Sequence, residues 1–88
     1  MTTVTDAAIQ TCLLTLVRDR GPNKTICPSE VARTLGGDDW RTLMPRVRSV
    51  GVTLVNAGDI VVTQKGQVID PQTAKGPIRY RLKPPADP

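Results

Sequence analysis

Three features of the 88-residue sequence predict an α+β fold, with three helices followed by a small antiparallel sheet. An apolar stripe at helical spacing occupies residues 6–20. Two more helical segments follow, separated by Gly36-Gly37. Two β-type segments then close the chain around a long Gly- and Pro-containing stretch. A chain of this length holds one domain, 1–88, with an ordered core expected over about 5–83 and an extended tail over 84–88.

In residues 6–20, Ile9, Cys12, Leu13, Leu16 and Val17 recur at i, i+3, i+4, i+7 and i+8, which predicts one amphipathic helix. Thr5 or Asp6 caps its start, Arg18 and Arg20 suit its negative end, and Gly21 takes the left-handed position beyond it. Thr25-Ile26 is a short extended piece, because Cys27 precedes a proline. Pro28 suits the first position of a second helix over 28–35, and Glu30 stands at capping-box distance from Cys27. Asp38 or Asp39 caps the next segment, in which Trp40, Leu43, Met44, Val47, Val50, Leu54 and Val55 form a broad apolar stripe. Pro45 removes a helical hydrogen bond, so the expectation is a kink, or a short turn at 39–43 with the main helix starting near Pro45. Gly51, costly inside a helix, is the kind of residue that admits another backbone closely.

Residues 59–64 are β-branched and read as a strand, which Val68 and Ile69 could extend. Ile78-Arg79-Tyr80-Arg81-Leu82 alternates strictly, so Ile78, Tyr80 and Leu82 face the core while Arg79 and Arg81 face outward. The connection over 65–77 is long for a hairpin loop, and such loops in small domains are often functional. Trp40 and Tyr80 are expected in the core, which has no Phe to draw on. The resulting order, α-β-α-α-β-wing-β, is that of a winged helix, whose third helix is the recognition helix.

Charge falls unevenly on this frame. Residues 1–40 carry four Lys/Arg against five Asp/Glu, whereas residues 41–83 carry eight against two. The cationic half coincides with the third helix and the wing, and a one-sided field of that sign attracts a polyanion. The sequence also excludes several chemistries. It has no histidine, so Ser/His/Asp and Cys/His pairs and mixed Cys/His zinc sites are absent. Cys12 and Cys27 are too few for a Cys₄ site and are expected to be reduced, buried hydrophobes. Asp38-Asp39 has no further carboxylates nearby and reads as a helix cap rather than a metal site. No catalytic residue, metal or small-molecule cofactor is implied. No apolar run reaches the roughly 20 residues of a membrane span, so no membrane is expected as a partner. The N-terminal segment has no basic region or cleavage site, and a cytoplasmic location is expected.

Double-stranded DNA is therefore the expected partner. Arg41, Thr42, Arg46, Ser49 and Thr53 lie off the apolar stripe of the third helix, and a guanidinium such as that of Arg46 matches the O6/N7 pair of guanine. Lys65, Gln67, Gln72 and Lys75 sit in the wing, where cations reach phosphates or the minor groove. Arg79 and Arg81 are candidate phosphate clamps, or charges that protect an edge strand. The alternative is a protein–protein interaction module on the same fold that binds no nucleic acid.

Four stretches make the resemblance specific: Thr25-Ile26-Cys27-Pro28-Ser29-Glu30-Val31-Ala32, Trp40-Arg41-Thr42-Leu43-Met44-Pro45, Val62-Thr63-Gln64-Lys65-Gly66 and Gly76-Pro77-Ile78-Arg79. With these the chain resembles, over about residues 8–82, a short bacterial family catalogued only as a domain of unknown function and treated as winged-helix-like. The resemblance implies the fold and supplies no activity. Gly51-Val52-Thr53 departs from the family pattern of alanine and arginines, which leaves this recognition helix less basic than its relatives.

Overall fold

The computed structural model describes residues 4–84; the tail expected at 84–88 lies, beyond Pro84, outside the described residues. The architecture is α+β. Helices α1 (Asp6–Arg20), α2 (Pro28–Gly36) and α3 (Trp40–Ala57) precede strands β1 (Ile60–Gln64), β2 (Gln67–Ile69) and β3 (Arg79–Leu82). The sheet is antiparallel with order β2-β1-β3.

Thr5 caps α1, its Oγ1 accepting the Ala8 N–H at 3.1 Å, and Ile9, Leu13 and Val17 form the buried stripe. Gly21 ends the helix at φ 105° and ψ 164°. This is a positive-φ conformation open to glycine, although not the left-handed helical one expected. Ile26 makes a one-residue bridge to Tyr80, through two backbone hydrogen bonds of 2.8 Å. The extended piece before Pro28 thus joins the edge of the sheet next to β3. Pro28 opens α2, and the Glu30 carboxylate accepts the Cys27 N–H at 2.7 Å, which completes the carboxylate half of the capping box. The same carboxylate meets Arg20 of α1 at 2.5 Å. Partial burial pushes the Glu30 pKa up, but the Cys27 N–H and the Arg20 and Arg79 charges outweigh it and hold the group below its ordinary value.

A 3₁₀ turn at Gly37–Asp39 leads directly into α3. The main helix therefore starts at Trp40 and runs through Pro45, so of the two expectations the late start near Pro45 is the one not met. Pro45 lies in the second turn, where the lost bond leaves only the carbonyl of exposed Arg41 without its helical donor. Meanwhile Leu43, on the turn before the proline, is buried with Val47, Val50, Gly51 and Leu54. Asp39 occupies the N-cap without a side-chain cap bond; its backbone carbonyl instead accepts from Thr42 Oγ1 at 2.7 Å.

The stretch over 65–77 is not one loop. Lys65 and Gly66 have φ of 52° and 80°, and Gln64 pairs with Gln67. Two positive-φ residues between paired positions make the primed hairpin turn that suits strand twist. Gln67–Ile69 thus returns as β2 against β1 rather than extending it. Residues 70–78 then lead to β3, which pairs with the other edge of β1 from Ile60↔Leu82 to Thr63↔Arg79.

Ile60, Val62, Ile78 and Tyr80 bury one sheet face against all three helices, and Tyr80 is fully enclosed. A Cβ on Gly51 would come within 2.5 Å of Tyr80 Oη. The close neighbour that Gly51 admits is therefore a tyrosine ring, not a backbone. Trp40 is only half-buried, at the edge of the core, and the Arg33 and Arg41 guanidinium carbons each lie over its ring, 4.5 Å from the centroid. Both cysteines are free and half-buried rather than enclosed; Cys12 lies beside the stripe of α1, and Cys27 is the N-cap of α2.

Candidate functional site

The buried stripe of α3 fixes which side chains point away from the core. Arg41 and Arg48 are seven residues apart, hence on one line of the helix, opposite Leu43, Val47, Val50 and Leu54. Ser49 is exposed on the adjoining line, and Thr42 and Thr53 are also exposed. The hydroxyls of Thr42 and Thr53 donate to backbone oxygens, those of Asp39 at 2.7 Å and Ser49 at 3.5 Å. Arg46 lies on the flank of α3 that faces α1. Its Nη2 and Nε donate to Asp6 Oδ1 at 2.8 and 3.2 Å. The structure thus places Arg46 apart from Arg41 and holds it in an exposed ion pair.

Arg48 looks the other way, towards the sheet. Its Nη2 donates to the Gly76 carbonyl at 3.0 Å, which ties α3 to the 70–78 segment. That segment is also held from β1, where Gln64 Nε2 donates to the carbonyls of Lys75 at 2.6 Å and Pro77 at 3.1 Å. Asp70 starts it with an Asx-type turn, its Oδ1 accepting the Gln72 N–H at 2.9 Å. Lys75 and Gln72 therefore project, exposed, from a braced support.

On the sheet face turned away from the helices, Arg79 lies opposite Thr63 and Arg81 opposite Val61. Arg79 Nε donates to Thr25 Oγ1 at 2.5 Å and its Nη2 to the Thr25 carbonyl at 3.3 Å. Arg81 is half-buried, and its Nε has no hydrogen-bond partner. Lys65 sits in the β1–β2 turn, and with Arg79 it lines a cleft beside Cys27.

Among the described residues only two ion pairs form, Arg20–Glu30 and Arg46–Asp6. Arg41, Arg48, Lys65, Lys75, Arg79 and Arg81 thus have no carboxylate of the described residues within 4.0 Å. No group of three or more Cys, Asp or Glu side chains fit to hold a metal occurs among these residues, and no helix among them is long and apolar enough to cross a membrane. Arg48 and Gln64 were not among the sequence candidates, although both organise this region. The seven-residue spacing of Arg41 and Arg48 is the signal that would have found the first. Nothing in the sequence marks Gln64, because its partners are backbone carbonyls of a distant segment.

A family model described as Protein of unknown function (DUF3253) matches residues 6–83. No curated protein matches the chain. The chain belongs to that family of unknown function.

Proposed function

We propose that the domain is a winged helix that binds duplex DNA without catalysing a reaction, in the manner of a small transcriptional regulator. In this reading Ile26 supplies the strand between the first two helices, α2 and α3 form the helix-turn-helix, and the β1–β3 connection is the wing. Arg41, Arg48 and Ser49 face the groove, while Lys65, Lys75 and Arg79 take phosphates; Thr42, Arg46 and Arg81 flank them. The observation that carries the proposal is the 3.0 Å bond from Arg48 to Gly76. It joins the outward side of the cationic helix to the segment that carries Lys75. Charges from distant parts of the chain can then act on one rigid ligand, and DNA is a rigid ligand with regularly spaced phosphates.

Fluorescence anisotropy with a mixed-sequence duplex at several salt concentrations tests this. If Arg41, Arg48, Lys65, Lys75 and Arg79 each neutralise a phosphate, log K falls with log salt at a slope near about −4.5. Absence of saturable binding at low salt refutes the proposal. A protein-interaction role on the same fold is the second reading, favoured by Val68, a large apolar side chain 59% exposed on β2. Partners that stay bound after nuclease treatment, combined with a flat DNA titration, would select that role.

A further inference from the structure

A cleft of about 300 Å³ opens where the start of α2, the end of β1 and the approach to β3 meet; it is lined by Cys27, Thr63, Lys65, Pro77, Ile78 and Arg79, with Gln64 beside them. Its volume is at the small end for ligand sites, enough for a molecule of about ten non-hydrogen atoms. Its donors are already sorted. The Cys27 N–H is taken by Glu30, and the Gln64 amide nitrogen by Lys75 and Pro77. Three donors remain: the Lys65 ammonium, the guanidinium hydrogens of Arg79 not given to Thr25, and the Thr63 hydroxyl. Thr63 is only 5% exposed, and it lines the cleft. The cleft also holds two cations with no carboxylate within 4.0 Å among the described residues.

The rest of the wall is mainly apolar and comes from Ile78, Pro77 and Cys27, whose thiol accepts the Ser29 hydroxyl at 3.1 Å. A small inorganic anion would leave those surfaces wet, and a neutral apolar molecule would make no use of the two exposed cations at the rim. We propose that this cleft binds a small organic monocarboxylate, its carboxylate on Lys65, Arg79 and Thr63 and its apolar body against Ile78, Pro77 and Cys27. The binding does not depend on DNA recognition. One consequence does: because Lys65 and Arg79 are also proposed phosphate contacts, an occupied cleft opposes DNA binding.

The test is an NMR titration of the free protein, without DNA, at fixed ionic strength. Hexanoate is the probe, 1-hexanol its neutral counterpart, and inorganic phosphate the anion without an apolar body. Hexanoate should shift the amides of Thr63, Lys65, Ile78 and Arg79 saturably, and both controls should bind about tenfold more weakly or worse. Lys65→Gln, at an exposed turn, should weaken hexanoate about tenfold with an unchanged spectrum elsewhere. Arg79→Gln should do the same or more, and it also removes the Thr25 contacts, so Lys65→Gln is the decisive variant. The proposal is overturned if hexanoate gives no saturable shifts there, if hexanol or phosphate binds as well, or if Lys65→Gln binds as tightly as the parent. Success or failure of DNA binding, measured separately, alters none of these readouts.

Discussion

Replacing Gly51 by alanine sets two effects of known size against each other. Alanine improves the helix by up to about 1 kcal/mol, because glycine costs a helix interior backbone entropy. The added Cβ, however, would sit 2.5 Å from Tyr80 Oη and 2.8 Å from both Cε1 and Cζ. Ordinary contact is about 3.5–4.0 Å, so the ring or the helix must move by about 1 Å. The ring has nowhere to go. Tyr80 is fully buried, its backbone makes two 2.8 Å bonds to Ile26, and it is in register with Val62. Overpacking costs about 1–3 kcal/mol, and contacts this short against an enclosed ring belong to the upper end, so Gly51→Ala should lose up to about 2 kcal/mol net. For a domain of this size each kcal/mol lowers Tm by about 4–8 °C, readily seen by circular dichroism. Val52→Ala, one position along and half-exposed, serves as control. The Tyr80→Phe background removes the shortest contact and should reduce the loss. A Gly51→Ala variant that melts at or above the parent's temperature would refute the reasoning, because it would show that propensity outweighs packing at this site.

Three other perturbations probe the surface and the buried phenol. Lys65→Asn places a residue that tolerates positive φ into the β1–β2 turn, and should stabilise the fold by about 0.5–1 kcal/mol, part of the strain a larger side chain carries there. The same variant should bind DNA more weakly, with a salt slope shallower by about 0.9; urea titration and anisotropy check the two halves. Asp6→Asn releases Arg46 from its ion pair, so DNA affinity should rise and the slope steepen by about 0.9, at a cost of about 0.3–1 kcal/mol for the lost charge at the start of α1. Burial pushes the Tyr80 pKa up to about 12, although the Arg48 charge pulls it down. With its folded value raised, Tyr80 contributes stability that is complete below pH of about 10, the unfolded value, and lost as pH rises toward 12. As the chain has a single Tyr, alkaline absorbance titration reads that group alone, and phenolate appearing near pH 10 before any unfolding would contradict the burial.

Much of this fold was written in local pattern. The i, i+3, i+4 stripe of α1, Pro28 at the start of α2 and the alternation around Tyr80 each specify an element through a few neighbouring residues. Errors arose where the deciding partner is distant. Pro45 argues locally for a late start to α3, yet burying Leu43 one turn earlier outweighs one missing hydrogen bond at an exposed carbonyl. Lys65-Gly66 reads locally as part of a loop. Recognising it as a hairpin requires that Lys65, a residue that disfavours positive φ, adopt it nonetheless. The candidate site divides in the same way. That Arg79 and Arg81 face away from the core followed from alternation. That Arg46 pairs with Asp6 while Arg48 reaches Gly76 depends on which flank of α3 each neighbour occupies, and helical spacing alone is silent on that.

The two kinds of information meet at one ring. Tyr80 is bridged to Ile26, in register with Val62, and pressed on Gly51, so it sets both the seat of α3 on the sheet and the distance between them. Arg48 is three residues before Gly51 on α3, and Gly76 is four before Tyr80 in the chain entering β3. The 3.0 Å contact that joins cationic helix to cationic segment is therefore held in place by the buried Gly51–Tyr80 contact beneath it. A glycine where a more helix-favouring residue would serve locally is intelligible on those terms. It lets the helix sit close enough to the sheet for Arg48 to reach across, and a change that lifts α3 by 1 Å should weaken the surface arrangement and the core together.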